Sequence, residues 1–286
     1  MKTFQDNFWI WGQNAGTHHN CYPELPGRND MDPAEGAEYL GIPNCCRVVM
    51  LDQPAPPFDE DAKKLRHFRQ LVWSAIGAGG VARNNDDQSD LEEVLRQAAR
   101  NPNVTGAVLD DFFPSVEGFG ADGKRARHSI ESIAAMQKKL HQFPQRRLDL
   151  WLVWYSYQLD YPVQDYVDLC DVVTLWTWNG SDLDLLDDHI EKLVEKTPGK
   201  RRLAGCYLWN YGERKELTAK QMESQLNSYH RGLREGAIEG IVFCSNCVAD
   251  CGLEAAEMTR EWIRTVGPEA APGKESLVAP VSAIAS

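Results

Sequence analysis

The segment "VTGAVLDD", residues 104–111, is an apolar run that ends in two adjacent aspartates. Its apolar residues hardly alternate with polar ones, which predicts a parallel strand covered on both faces. Seven further runs of this kind are NFWIWGQ (7–13), CCRVVMLDQ (45–53), LVWSAIG (71–77), DLWLVWYSY (149–157), VVTLWTWNG (172–180), LAGCYLWNY (203–211) and GIVFCSN (240–246). The sequence therefore predicts eight buried strands.

Amphipathic helical patterns lie between most of these runs. The clearest patterns cover residues 89–100, 124–143, 182–196, 218–235 and 253–266. "SDLE" at 89–92 and "TAKQ" at 218–221 both fit a capping box, which predicts where two helices begin. The helices after the first, second and fifth runs are short or weakly patterned. Eight strand and helix units in roughly 265 residues match a (β/α)8 barrel, and a doubly wound open sheet is the alternative.

We therefore predict an α/β fold with a single domain, a (β/α)8 TIM barrel over residues 1–267. The segment that follows, 268–286, reads "PEAAPGKESLVAPVSAIAS" and is rich in Pro, Ala and Ser without a helical or strand period. Such a composition is typical of a flexible extension.

Charge and hydropathy narrow the classes of partner. The formal net charge of −12 would repel nucleic acid backbones and anionic membrane surfaces. No stretch approaches the roughly 20 apolar residues of a membrane span, and the first residues do not read as a signal peptide. We expect a cytoplasmic protein that binds neither nucleic acid nor membrane. Its eight cysteines fall mostly in or beside apolar runs and are predicted to be thiols, and nothing in the sequence indicates an oligomeric state.

The barrel prediction also indicates where to look for function, because active sites in this fold lie at the carboxyl ends of the strands. The residues predicted there are aromatic, amide and carboxylate, with almost no cations. This inventory suits a sugar, whose C–H faces pack on aromatic rings while its hydroxyls need polar partners. The predicted substrate-binding residues are Trp11, Asn14, His18, Asp52, Tyr155, Trp176, Trp178, Asn179, Trp209, Asn210, Tyr211 and Asn246.

The adjacent pair Asp110 and Asp111 is predicted to be catalytic. Mutual repulsion raises the pKa of one of two neighbouring carboxyls and keeps that group protonated near neutral pH. Glycoside hydrolysis needs both a proton donor and a negatively charged partner. On a regular strand the two side chains would point to opposite faces, so this prediction requires a twist at the strand end. The alternative is that one aspartate only tethers the loop 112–123.

A resemblance supports the catalytic interpretation. "AVLDDFF" at 107–113 resembles the fourth-strand motif of the β-N-acetylglucosaminidases that use neighbouring-group participation. This resemblance implies that Asp110 orients and polarises the substrate acetamido group and that Asp111 is the general acid and base. More broadly, the chain resembles (β/α)8 glycoside hydrolases, but it lacks their common pair of glutamates after strands four and seven. An arrangement with Asp111 as acid and Glu213 or Asp52 as nucleophile therefore stays open.

Two other functions remain as alternatives. His18, His19 and Asp52 could in principle bind a divalent metal ion, which would indicate a metal-dependent sugar isomerase, epimerase or lyase. A non-catalytic carbohydrate-binding barrel is the second alternative. The favoured prediction is a glycosidase that acts on an oligosaccharide or glycoside and needs no metal and no cofactor. We interpret the C-x2-C-x3-C spacing of residues 244–251 as core packing and "GAGGVA" at 77–82 as a turn.

Overall fold

The computed structural model describes residues 1–120 and 123–273 and shows a closed barrel of eight parallel strands. Each strand pairs with the next one along the chain, and the last pairs with the first. The (β/α)8 prediction is confirmed, and the open sheet is wrong. The strands are β1 (Phe8–Gly12), β2 (Asn44–Arg47), β3 (Gln70–Ile76), β4 (Val104–Leu109), β5 (Asp149–Tyr155), β6 (Val172–Trp176), β7 (Arg201–Tyr207) and β8 (Gly240–Cys244).

Ten α-helices surround or cap the barrel in the described part of the chain. They are α1 (Thr17–Cys21), α2 (Pro33–Leu40), α3 (Asp59–Lys64), α4 (Leu91–Arg100), α5 (Ile130–His141), α6 (Gln164–Leu169), α7 (Leu186–Lys196), α8 (Ala219–Glu235), α9 (Asn246–Ala249) and α10 (Glu254–Val266). The strands lack hydrophobic alternation because the barrel interior buries one face and the helices bury the other. Every residue of β1, β2, β6 and β8 is buried.

One of the two predicted capping boxes is present. The Thr218 hydroxyl accepts a hydrogen bond from the Gln221 backbone N–H at 3.2 Å, and the Gln221 side chain accepts one from the Thr218 N–H at 3.0 Å. The box predicted at Ser89 is wrong, because α4 begins at Leu91 and no side chain caps it. Asp90 precedes α4 and binds Arg83 instead, at 3.1 Å from its Nε.

The helix predicted from residue 124 begins later, at Ile130. Ser129 caps it by accepting a hydrogen bond from the Ser132 N–H at 3.3 Å. The residues before it contact neighbouring loops instead of continuing the helix. The Arg127 N–H donates to the Phe112 carbonyl at 3.0 Å, and a ring nitrogen of His128 lies 2.9 Å from the Asn84 carbonyl oxygen.

Aromatic residues fill the barrel interior in layers. Trp9 on β1 and Trp151 on β5 stand on opposite sides of the ring of strands, yet their ring centroids are only 4.8 Å apart. Both indoles therefore lie near the barrel axis. Trp11, two residues further along β1, contacts Trp176 of β6 at 5.3 Å. Because side chains two residues apart share a strand face, this second pair lies above the first, toward the carboxyl ends of the strands.

The described ends of the chain meet at the amino-terminal rim of the barrel. Thr3 and Ala270 form an antiparallel bridge, and the Phe4 N–H donates to the Glu269 carbonyl at 3.0 Å. The first residues of the predicted extension are thus hydrogen bonded to the barrel. The remainder of that extension, residues 274–286, lies outside the described residues. Across residues 1–120 and 123–273, no helix combines the length and the apolarity that a membrane crossing requires.

Candidate active site

A cavity opens at the carboxyl ends of the strands, directly above the Trp11 and Trp176 layer. It contains about 520 Å³ of empty space including its mouth. The part of this space that is comparable with published cavity volumes is only about 90 Å³. That is below the roughly 300–1,000 Å³ of ordinary small-molecule sites, so a ligand would lie partly in the open mouth. Its lining consists of Trp11, Gln13, His18, Tyr22, Met50, Ala78, Asp110, Asp111, Val153, Tyr155, Trp176, Trp178, Tyr207, Tyr211 and Cys244. Both predicted catalytic aspartates and six predicted substrate-binding residues therefore meet in one place.

The walls of the cavity are a continuous lattice of aromatic rings. Trp176 contacts Tyr207 at 5.0 Å between ring centroids, and Tyr207 contacts the edge of Trp178 at 5.8 Å. Trp178 then contacts Tyr155 at 5.8 Å and stacks on Tyr211 at 6.0 Å. Because each ring is held by its neighbours, the walls present rigid apolar surfaces to a ligand.

Asp110 lies deep in this cavity, where its side chain is cut off from bulk water. Its N–H continues the β4 ladder by donating to the Ile76 carbonyl at 3.0 Å, and the residue is only 4% exposed. Among the described residues, no side chain donates a hydrogen bond to its carboxyl group. Burial, and next the negative charge of Asp111, raise the pKa of Asp110 well above its usual range. Arg127 and the Asp111 N–H act in the opposite direction but do not overcome burial.

Arg127 stands behind the pair rather than in the cavity. Its Nη1 donates to the carbonyl oxygens of Gly77, at 2.6 Å, and of Asp110, at 3.1 Å. The guanidinium therefore binds the backbone at the ends of β3 and β4 and makes no ion pair with either carboxylate. It therefore fixes the geometry of the loops behind the two aspartates.

Asp111 is turned toward the same cavity by its backbone. Its φ of 42° lies in the left-handed region, and this breaks the alternation that would point its side chain away from that of Asp110. Oδ1 accepts a hydrogen bond from the Tyr155 hydroxyl at 2.7 Å, and Oδ2 accepts one from the Gly79 N–H at 2.7 Å. Each oxygen of this carboxylate thus has a donor.

His18 enters the cavity from α1 as a neutral side chain. The Tyr211 hydroxyl lies 2.7 Å from Nδ1, and burial lowers the pKa of His18 to about 3. The residue can exchange hydrogen bonds with a ligand but brings no positive charge near neutral pH.

The three residues of the alternative metal site do not lie together. His19 lies outside the cavity, with Nε2 3.3 Å from the Pro26 carbonyl oxygen. Asp52 is exposed and pairs with Arg83 at 3.3 Å. Within the described ranges, no three His, Cys, Asp or Glu side chains are grouped to hold a metal ion. The arrangement of His18, His19 and Asp52 expected for a metal-dependent isomerase is therefore wrong.

The predicted amide residues lie around the cavity rather than in its lining. Asn14 binds the Arg47 guanidinium, and Asn179 donates to Asp182 at 3.0 Å. Asn210 accepts from the Gly180 N–H at 3.0 Å, and Asn246 bonds both backbone groups of Gln13 at 2.8 and 2.9 Å. The bonds of Asn210 and Asn246 satisfy backbone groups at the strand ends that would otherwise be unpaired, whereas those of Asn14 and Asn179 join other side chains.

Trp209 also lies outside the lining. It is fully buried behind Tyr22 and Tyr211, with ring centroids 5.4 and 5.2 Å away. Glu213, the open alternative for a nucleophile, is likewise outside the cavity. Hydrogen bonds from Lys215 and Ser181 lower the pKa of Glu213 to about 2. Neither Glu213 nor Asp52 lines the cavity that holds Asp111.

The cavity includes residues that we did not predict. Tyr207 was missed because β7 ends at that residue, whereas its apolar run continues to Tyr211. Tyr22 follows the short helix α1, and a loop position of this kind carries no sequence signal. Gln13 could have been predicted, because it directly follows β1 and therefore lies at the carboxyl end of a strand. The other unpredicted residues of the lining are Met50, Ala78, Val153 and Cys244.

Comparisons with known proteins identify the architecture. No protein family model and no curated protein sequence matches the chain. Among solved structures, a GH113 β-1,4-mannanase is 10% identical, with a TM-score of 0.52 over 93% of this chain and 100% of that one. A spore cortex-lytic enzyme from Bacillus megaterium is 13% identical, with a TM-score of 0.56 over 92% and 74%. An endo-β-N-acetylglucosaminidase from Cordyceps militaris is 12% identical, with a TM-score of 0.53 over 95% and 90%. At these identities the likeness shows the fold alone.

Proposed function

We propose that this chain is a glycoside hydrolase in which Asp110 and Asp111 form the catalytic pair. The observation that carries the proposal is the contrast between two adjacent carboxyl groups in one cavity. Asp110 is buried without a side-chain donor, whereas Asp111 accepts hydrogen bonds on both oxygens. Two carboxyls in such different environments can divide acid and charge-stabilising roles. The three similar barrels, a mannanase, a spore cortex-lytic enzyme and an endo-β-N-acetylglucosaminidase, agree with this class.

The geometry favours a specific division of roles. Burial keeps a proton on Asp110 at pH values at which ordinary aspartates are ionised, so Asp110 can donate it to the leaving oxygen. Negative charge on Asp111 is stabilised by Tyr155 and Gly79, so Asp111 can face the positive charge that develops on the sugar ring. The resemblance to the β-N-acetylglucosaminidases implies the opposite order, with Asp111 moving the proton. The two orders predict different responses to the leaving group.

The aromatic lattice supplies the binding surface for the sugar. Trp11 and Trp176 form the floor, and Trp178 and Tyr155 stand on the wall beside Asp111. Pyranose C–H faces pack against such rings, and the rings also exclude water from the carboxyl pair. A sugar held on this floor would lie within reach of both aspartates.

A panel of aryl glycosides tests the proposal. We expect hydrolysis of at least one member, and a loss of about 10²- to 10⁴-fold in kcat for Asp110→Asn and for Asp111→Asn. Asp52→Asn is the matched control, because Asp52 shares the positive φ of Asp111 but lies outside the cavity. Hydrolysis that survives a chelator agrees with the proposal. Turnover that needs a divalent metal ion, or sugar binding without any turnover, would contradict it.

Substrates with different leaving groups distinguish which of the two aspartates is the general acid. An activated aryl group, such as dinitrophenyl, needs little protonation to depart. The variant that lacks the acid therefore regains much of its activity on that substrate, whereas the variant that lacks the charged partner does not. We expect the recovery in Asp110→Asn. Recovery in Asp111→Asn alone would establish the order that the resemblance implies.

A further inference from the structure

Among the described residues, the cavity lining contains two carboxyl groups but no lysine or arginine to balance them. The nearby guanidinium groups are already bound. Arg214 lies over the Tyr22 ring at 5.7 Å and pairs with Glu24 at 3.3 Å. Arg127 binds backbone carbonyls, and Arg47 pairs with Asp61 at 2.5 Å. Since His18 is neutral, nothing in the described lining offers a positive charge to a ligand.

Gln13 adds an independent polar feature that points to a ligand. The residue is 3% exposed and lines the cavity, yet its Oε1 has no hydrogen-bond partner among the described residues. Its amide nitrogen lies 3.0 Å from the Met50 sulfur, and Asn246 holds its backbone on both sides. A thioether accepts hydrogen bonds, so this contact directs the nitrogen to Met50 and leaves the oxygen as an acceptor. Leaving a buried acceptor without a donor costs about 1–3 kcal/mol, which a ligand donor would remove.

The fully buried polar atom of the described lining that lacks a partner, Gln13 Oε1, is thus an acceptor, and the walls are aromatic. The faces of Trp and Tyr rings attract cations, and this attraction is strongest where water is excluded. The acceptor oxygen of Gln13, the negative charge of Asp111 and a lattice of rings together form an environment that suits an alkylammonium group. The same set repels a carboxylate, sulfate or phosphate group on a sugar.

We propose that the sugar bound in this cavity carries a free, protonated amino group, with Gln13 Oε1 as its acceptor and the negative charge of Asp111 as its electrostatic partner. This inference rests on the proposed function for the sugar, and it specifies the substrate class as glycosides of unacetylated amino sugars. Acetylation would remove the positive charge, and uronic or sulfated sugars would bring the wrong sign. The ammonium group, rather than an acetamido group, is the recognised feature.

Binding measurements test this inference without relying on turnover. Isothermal titration calorimetry at about pH 6, where the amine is protonated, compares glucosamine, N-acetylglucosamine, glucose and glucuronic acid, followed by the β-1,4-linked oligomers of the first two. We expect the amine-bearing ligands to bind at least about tenfold more tightly than the acetylated and neutral ones. Glucuronic acid should bind least. Equal or tighter binding of the acetylated, neutral or acidic ligands overturns the inference, as does the absence of binding by glucosamine and its oligomers.

Variants at Gln13 provide the second arm. Gln13→Leu removes the acceptor and should reduce the preference for the amine by about tenfold, whereas Gln13→Glu should preserve or increase it. Asp52→Asn is again the control and should leave the preference unchanged. A preference that survives in Gln13→Leu would overturn the assigned acceptor. Failure of this inference is distinguishable from failure of the proposed function, since hydrolysis of neutral glycosides with dependence on Asp110 and Asp111 would leave the latter standing.

Discussion

The hydroxyl group of Tyr155 donates a hydrogen bond of 2.7 Å to Oδ1 of Asp111. Tyr155 is the last residue of β5, and Asp111 stands two residues beyond the end of β4. The second oxygen of Asp111 is held by Gly79, in the loop that follows β3. Three consecutive strands of the barrel thus determine where this carboxylate lies. A side chain bound at both oxygens is preorganised, so it needs no rearrangement when charge develops next to it.

Removing this hydrogen bond should lower activity while the fold is retained. A hydrogen bond to a charged group contributes about 1.5–3 kcal/mol, so we expect Tyr155→Phe to reduce kcat about 10- to 100-fold. The ring itself would stay in place, because it stacks on Tyr157 with 5.4 Å between centroids. Tyr161→Phe is the matched control, since the hydroxyl of Tyr161 has no partner in the described structure. Equal kcat values for the two variants would exclude a role for the Tyr155 hydroxyl.

We expect Asp110 to lower the free energy of unfolding of the protein. Because burial raises the pKa of its folded form, the folded state binds more protons than the unfolded state at pH values between the usual aspartate pKa, 3.8, and the raised one. In this window the free energy of unfolding falls as pH rises. Asp110→Asn has no such titration, so it should be more stable than the wild type by about 1–3 kcal/mol at neutral pH.

Urea denaturation of the wild type and Asp110→Asn at several pH values measures this difference. The advantage of the variant should grow as pH rises above about 4 and should vanish in more acidic solution. An Asp110→Asn variant that is less stable than the wild type at pH 7 would contradict the prediction. A substitution that stabilises the fold and abolishes turnover would mark a residue retained for its chemistry.

The floor of the cavity depends on a glycine. A Cβ atom built on Gly205 of β7 would lie 2.0 Å from the indole of Trp176. Gly205→Ala should therefore push Trp176 out of position, destabilise the protein by about 1–3 kcal/mol and weaken sugar binding. Gly273→Ala is the control, because a Cβ added there meets no atom of the described residues within 4 Å. Tryptophan fluorescence and the sugar-binding affinity measure the effect, and unchanged affinity would show that the position of Trp176 is unimportant.

The two capping sequences give a direct comparison of prediction with structure. Thr218→Ala removes both hydrogen bonds of its hydroxyl at the start of α8 and should lower the free energy of unfolding by about 0.5–2 kcal/mol. Ser89→Ala removes only a long contact of 3.4 Å and should have a much smaller effect. Thermal unfolding of both variants tests this, and equal losses would indicate that Ser89 acts as a cap after all.

The fold could be predicted because a parallel barrel buries both faces of its strands. Continuous apolar runs such as "DLWLVWYSY" carry that information locally. The ends of the strands were predicted less accurately where apolar residues continue beyond the last hydrogen bond between neighbouring strands. In β7 this uncertainty shifted the predicted site from Tyr207 to Trp209, which packs behind the cavity.

The predictability of the site depended on side-chain chemistry. Large aromatic and carboxylate residues at strand ends, such as Trp176 and Asp110, lie in the cavity as the sequence indicated. Amides such as Asn210 and Asn246 were predicted alongside them but bind loop backbone. An amide serves a ligand or a backbone group equally well, and only the tertiary structure decides which. The left-handed backbone of Asp111, which aligns the pair, also has no signature in composition.

The bridge between Thr3 and Ala270 lies on the rim opposite the cavity mouth. Positions that are far apart in sequence and adjacent in space can be joined by a short linker. The chain can therefore be permuted by linking these positions and cutting a distant exposed loop. The same rim offers attachment points for immobilisation on a solid support, with the carboxyl pair facing away from the surface.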